Sequence, residues 1–201
     1  MSTRPTLAPT GAPDGLAHFV TLYDESRDPW DTCNRWYERR KRALVLASLQ
    51  RERYARAFEP ACGSGALTRE LAHRCENLLA CDGVPAAAHA LAQELRAERG
   101  VRVDMAILPH GWPILEANFD LIVLSEFCYY LQAPELSELL GRCASSLAPG
   151  GELLACHYLP DFEDRRLPTE AIHAQIETMQ IGEHRVRHRD HEFLLDVWVK
   201  P

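Results

Sequence analysis

The residues best placed to do chemistry lie between positions 58 and 68, which read Phe58-Glu59-Pro60-Ala61-Cys62-Gly63-Ser64-Gly65-Ala66-Leu67-Thr68. An acidic residue precedes a glycine-rich run. Gly63 and Gly65 carry no Cβ, so a ligand can lie directly on the backbone. Main-chain N–H groups at the start of a following helix can meet a carboxylate. Glu59 can accept a hydrogen bond from an ammonium group, directly or through water. A ligand that carries both groups is an amino-acid zwitterion.

A second acid, Asp82, follows the apolar run Leu78-Leu79-Ala80-Cys81. A carboxylate at the tip of a second strand can accept two bonds from ribose hydroxyls. A nicotinamide dinucleotide needs the same acid, but its loop is G-x-G-x-x-G, packed against a pyrophosphate. Here Thr68 stands at the third glycine's position, and Glu59 would repel a pyrophosphate. Amino acid and ribose together describe S-adenosylmethionine (SAM), with S-adenosylhomocysteine (SAH) as its demethylated product. Two rivals stand beside this reading. One is a nicotinamide-dependent oxidoreductase, disfavoured by Thr68 and by the lack of a Tyr-x-x-x-Lys pair. The other is a non-catalytic protein that binds SAM.

Such residues must be held by strands and helices in a fixed order. Residues 1–15, rich in Pro, Thr, Ala and Gly, read as a flexible tail without an apolar signal core. Leu16, Phe19, Val20 and Tyr23 share one helical face, and a second helix spans about Asn34 to Leu49. Strands are expected at Ala57–Glu59, Leu78–Asp82, Val101–Ile107, Phe119–Leu124 and Glu152–Cys156, with helices between them. A helix over Pro168–Met179 and two antiparallel strands, about His184–Arg189 and Glu192–Val199, follow. This alternation implies a three-layer α/β Rossmann-like sandwich with a sheet of about seven strands, mostly parallel, and an antiparallel edge. Residues 16–201 are expected to form a single domain, with 16–50 as lid helices over the ligand. In such sheets the ligand lies beyond the carboxyl ends of the strands, at the switch point.

With these residues in view, the chain resembles the class I SAM-dependent methyltransferases. Glu59, Gly63 and Gly65 match the family's acidic-x-G-x-G-x-G motif, and Ala61 stands for its first glycine. FDLIVLSEFCYYL and LAPGGELL resemble its fourth-strand block and the turn before its fifth strand. More narrowly, DPW, YERRKRALVLASL, FEPACGSGALTREL and LSEFCYYL resemble the nodulation protein S group, N-methyltransferases of chitooligosaccharide backbones. The resemblance implies that Trp30 and Tyr37 cap the cofactor, and that Lys41 reaches its carboxylate, with Arg40 as competitor. It places Gly83 among the cofactor-binding residues, Ala106, Ile107 and Leu108 around the adenine, with Asp104 nearby, and Ser125 and Glu126 at the sulfonium. Methyl transfer needs a general base only when the acceptor arrives protonated. The candidates are Glu126, Tyr129, Tyr130 and His157. His157 is expected just past the fifth strand, on the substrate side. Tyr129 and Tyr130, neighbours in sequence, cannot both face the pocket if helical.

Composition bounds the rest. A net charge of -7 disfavours nucleic acid as a main partner. Seven scattered cysteines, with no CxxC pair, fit a reducing, cytoplasmic setting and no zinc site. No apolar run is long enough to span a membrane. His184, Val186 and His188 are expected on one face of their strand, with Arg185, Arg187 and Arg189 on the other, and no metal is expected. The acceptor is expected to be a small molecule or saccharide methylated on N or O, with an amino sugar or glycan amine as the leading candidate, and the protein a monomer or weak homodimer.

Overall fold

The structure, a computed structural model, describes residues 14–201. The expected tail therefore lies almost wholly outside the described residues. Two helices come first, α1 (Asp14–Glu25) and α2 (Trp36–Ser48). Then follow β1 (Tyr54–Pro60), α3 (Ala66–Ala72), β2 (Cys75–Asp82), α4 (Pro85–Glu94), β3 (Val101–Met105) and β4 (Phe119–Ser125). A short 3-10 turn over Cys128–Tyr130 leads into α5 (Ala133–Ser146) and β5 (Leu147–Tyr158). The remaining elements are α6 (Thr169–Thr178), β6 (Glu183–Arg189) and β7 (Phe193–Val199).

The strands form one seven-stranded sheet in the order β3-β2-β1-β4-β5-β7-β6. β1 to β5 run parallel, and β7 lies antiparallel between β5 and β6. The expected architecture, mostly parallel with antiparallel pairing at one edge, is what the chain adopts. Strand order reverses between β1 and β4, so their carboxyl ends open the crevice where ligands bind in such sheets.

β4 shows why these residues make a covered strand. Leu121 and Val123 point into a core shared with Val45, Leu71 and Leu154, while Ile122 and Leu124 point into one shared with Leu136, Leu140 and Ile172. Both faces of a parallel sheet are buried, so apolar residues run without alternation. At α5, Pro134 fits the first turn, where its missing N–H is not needed, and Glu135 Oε2 accepts from the Gln132 N–H at 2.7 Å.

Two local readings change. Pro149-Gly150-Gly151 was expected as a turn after α5, but these residues belong to β5, which begins at Leu147. A Cβ on Gly151 would meet the carbonyl oxygens of Ala148 at 2.8 Å and Phe119 at 2.9 Å, so only glycine lets the backbones approach there. In β6 the pairing shifts between His184 and Val186. The irregularity brings His184 and Arg187 onto one carboxylate, Asp196 of β7, instead of onto opposite faces.

Candidate active site

A cavity of about 1460 Å³ opens at the carboxyl ends of β1, β2 and β4. Trp30, Lys41, Glu59, Ala61, Gly63, Asp82 and Gly83 line it, as do Ala106, Ile107, Leu108, Ser125, Glu126 and Tyr130. Most of the site residues read from the sequence therefore meet around one space.

The glycine loop forms its floor. Ala61 sits at φ 54°, Gly63 at 56° and Gly65 at 77°. Left-handed backbone is costly for alanine and free for glycine, so Ala61 is held in place by its surroundings. A Cβ on Gly63 would meet the Tyr23 hydroxyl at 2.8 Å, which makes Gly63 the point where α1 approaches the loop. Gly65 has a different role from the one expected. It does not line the cavity, and a Cβ there would strike the Leu91 side chain at 2.2 Å. It lets α3 start and pack closely on α4.

Asp82 ties the loop to β2. Its carboxylate accepts from the Gly63 N–H at 2.8 Å and from the Val84 N–H at 2.9 Å, one bond on each oxygen. Each oxygen keeps acceptor capacity for a hydroxyl. Burial pushes this carboxyl up, and the backbone bonds pull against it. Glu59, at the end of β1, is 3 % exposed, and its Oε2 has no hydrogen-bond partner. Burial, with Asp82 adding repulsion, pushes its carboxyl to about 8. A buried acceptor without a donor is expensive. An ammonium donor is what this oxygen lacks, and the residues present therefore fit a ligand with an amino-acid end and a ribose.

At the far wall Glu126 follows β4 with φ 62°, a strained conformation for a non-glycine residue. Its Oε1 accepts from Lys41 Nζ at 3.0 Å and its Oε2 from the Tyr129 hydroxyl at 2.5 Å. Lys41 also pairs with Glu38 Oε2 at 2.7 Å. Burial works against the ammonium, but Glu126 and Glu38 outweigh it, so its pKa is raised. Lys41 thus bridges the two carboxylates, one on α2 and one just after β4. Sequence reasoning missed Glu38, because a Glu-x-x-Lys pair on a helix ordinarily marks a solvated face. It expected helices over residues 16–50 to cover the ligand but did not say which α1 side chains would do so. Phe19 packs on Trp30 at 6.1 Å and Tyr130 at 4.9 Å between ring centroids, and Tyr23 packs on Trp30 at 5.8 Å. A further unforeseen link joins the Thr32 and Ser64 hydroxyls at 2.5 Å, while Arg42 donates to the Thr32 carbonyl at 2.8 Å.

Besides Gly65, four expected residues lie elsewhere. Tyr37 does not line the cavity, because α2 lies over β7 at that point and the ring packs on Tyr158 at 5.8 Å and Phe193 at 6.2 Å. Arg40, the alternative to Lys41, pairs with Asp190 at 2.6 Å. Asp104 pairs with Arg102 at 3.0 Å on the edge strand β3. His157 is not on a loop at the mouth. β5 continues to Tyr158, and the two-residue period of the strand turns His157 into the core on the α6 side, fully buried. Its imidazole is held well below the usual range, by burial first and then by the charges of its surroundings. Tyr130 lines the cavity and Tyr129 is buried behind it, so the pair divides as the helical argument required.

Comparison with known proteins agrees with this geometry. A family described as a methyltransferase domain matches residues 58–153. A crystal structure from Pseudomonas syringae, provisionally assigned as a methyltransferase, is 43% identical and covers 83% of this chain and 100% of its own, with a TM-score of 0.73. Nodulation protein S of Rhizobium tropici is 33% identical over 129 residues, 63% of this chain and 53% of the relative. The chain thus spans about half the length of that curated relative. The N-methyltransferase NodS of Bradyrhizobium japonicum WM9, solved with SAH, shares the fold at a TM-score of 0.77 and 23% identity, covering 94% of this chain and 100% of its own. Among the described residues, no helix is long and apolar enough to cross a membrane. With the acid, the glycine loop, Asp82 and the strand order all in place, the chain belongs to the class I SAM-dependent methyltransferases.

Proposed function

We propose that this chain transfers the SAM methyl group to a nitrogen of a small polar acceptor, an amino sugar or glycan amine. The observation that carries this reading is Glu126: a strained carboxylate at the switch point, held on both oxygens, beside Glu38 and Lys41. Residues 16–201 act as one methyltransferase unit in this reading, with 16–50 forming the lid. The free state of all seven cysteines fits a cytoplasmic setting.

Glu59 holds the amino group of the cofactor, and Asp82 its ribose. Ala106, Ile107 and Leu108, directly after β3, flank the base. Lys41, committed to Glu38 and Glu126, steadies the acceptor side and does not serve as the carboxylate ligand. Bound here, SAM supplies an electrophilic methyl group on a sulfonium. Glu126, on the cavity wall, offers a carboxylate acceptor to an amine that enters there. Glu126 then takes the proton that the amine must lose before its lone pair can react. Trp30, Phe19 and Tyr130 exclude water above it. Holding donor and acceptor in line supplies much of the rate.

The test is calorimetric titration with SAH, followed by SAH production from SAM and glucosamine oligomers. Wild type is expected to bind SAH at micromolar level and turn over. Asp82→Ala is expected to weaken SAH binding by about 10- to 100-fold, through the loss of one or two hydrogen bonds to a charged group. Glu126→Gln is expected to keep SAH binding and lose turnover. SAH binding without turnover on any amine would leave a binding protein in place of an enzyme.

A further inference from the structure

Behind the acceptor wall lies a chain of buried polar groups that the reaction described above does not use. His157 of β5, His173 of α6 and Asp196 of β7 are each 1 % exposed or less. His157 Nδ1 lies 3.1 Å from His173 Nε2, and His173 Nδ1 lies 2.7 Å from Asp196 Oδ2. Arg187 Nε donates to Asp196 Oδ1 at 2.7 Å. His184 Nε2 lies 2.7 Å from the same oxygen and 2.9 Å from the Val186 carbonyl, so that nitrogen carries its hydrogen.

These contacts dictate the tautomers. The Asp196 carboxylate accepts, so His173 donates through Nδ1–H. A neutral His173 then presents Nε2 as an acceptor, and His157 must donate through its own Nδ1–H. What remains is His157 Nε2, a bare lone pair, buried and without a partner. Arg187 pairs with both oxygens of the Asp196 carboxylate. The groups facing His157 are His173 from α6, Lys41 from α2, Arg165 from the segment after β5 and the Tyr129 ring, 5.6 Å away edge to face. Positive neighbours and burial both keep His157 neutral. Burying two imidazoles and an ion pair is costly, and an apolar set would pack at least as stably.

We infer that Asp196, His173 and His157 form a positioning relay for the acceptor site: the chain locks His157 in one tautomer against Tyr129 and so holds the Tyr129 hydroxyl on Glu126. Tyr129 is the link. Its ring packs against His157 and its hydroxyl donates to Glu126 Oε2, on the cavity wall. The three residues touch neither cofactor nor acceptor and act only through Tyr129. The inference rests on the cavity being the methyl-transfer site, but its test needs no acceptor and no turnover.

The whole chain, saturated with SAH or free, is labelled with ¹⁵N-histidine and with ¹³C at the glutamate carboxyl carbon. Long-range ¹H–¹⁵N spectra are followed from about pH 5 to about pH 9. A neutral Nδ1–H pattern for His157 is expected in wild type across that range. In Asp196→Asn, which keeps the volume, His157 is expected to become a mixture of tautomers. The Glu126 carboxyl signal reports the coupling. Tyr129→Phe removes the bond to the charged carboxylate and sets the full upward shift of its midpoint, about one pH unit. Asp196→Asn and His173→Gln are each expected to reproduce a clear part of that shift. A Glu126 midpoint that matches wild type in both, while Tyr129→Phe moves it, would reduce the chain to a structural network and overturn the relay. An Nε2–H tautomer of His157 in wild type would overturn it as well. Should one of the two variants fail to fold, the other decides.

Discussion

Glu59 carries an unsatisfied acceptor in a site whose ligand brings a donor, and this sets a pH dependence of known sign. Its carboxyl lies at about 8 instead of the ordinary 4.5, because burial opposes the charge and Asp82 repels it. A carboxyl raised on folding stabilises the fold fully below its ordinary value, and that contribution is lost as pH rises toward 8. Binding an ammonium favours the charged form, so SAH uptake near neutral pH is expected to release up to one proton. Affinity should then rise with pH and level off near 8. Calorimetry in buffers of different ionisation enthalpy measures the proton count, and zero release would remove Glu59 from the ammonium site. Glu59→Gln is expected to melt higher than wild type above pH 7 and to bind SAH more weakly. Glu59, Gly63 and Asp82 were legible in the sequence because a backbone-hugging loop and a strand-tip acid leave fixed spacings. Glu38 was not, since its burial comes from α2 lying against the sheet, which no spacing within α2 records.

At the scale of elements, the second motif glycine acts between helices and not toward the ligand. Gly65 starts α3 in the left-handed region, with Leu91 of α4 pressed against its Cα. Gly65→Ala is expected to cost about 2–4 kcal/mol, from backbone strain and overlap together. Denaturant melting checks this. Adding Leu91→Ala should recover only the overlap part, because φ 77° remains. The strands themselves were readable wherever an apolar run was continuous, as in β4. β5 was read too short at both ends. Its first five residues include Pro149, Gly150 and Gly151, ordinarily turn formers, and its last include a histidine, ordinarily taken for a loop or surface residue. That one misjudged boundary moved His157 from the core to the imagined mouth. A period-two pattern moves a side chain to the opposite face with each residue.

For the molecule as a whole, α1 lies outside the sheet and gives more residues to the cavity lining than any other helix. It supplies Leu16, Phe19 and Tyr23 to the lining, and His18 meets Asp164 of the β5–α6 connection at 3.9 Å. Such a roof should open more readily than the sheet. In hydrogen exchange, α1 amides are expected to exchange faster than those of β4 in the free protein. SAH should slow them by about tenfold or more and leave β4 nearly unchanged. Equal protection of α1 with and without SAH would mean that the roof does not respond to the ligand. The two helices before the first strand were readable from their apolar periodicity. The packing of Phe19 on Tyr130 was not, because it joins residues more than a hundred positions apart.

The placement of β7 has a consequence for how the chain is made. During synthesis β5 emerges with one edge unpaired, and β6, the next strand, does not fill it. The neighbour of β5 on that side is β7, which is translated after β6 and slides between the two. Until residues 193–199 leave the ribosome, the apolar edge of β5 stays open to other chains. Ribosome-bound chains ending shortly before Phe193 should therefore be held by chaperones, and release should follow the appearance of Trp198.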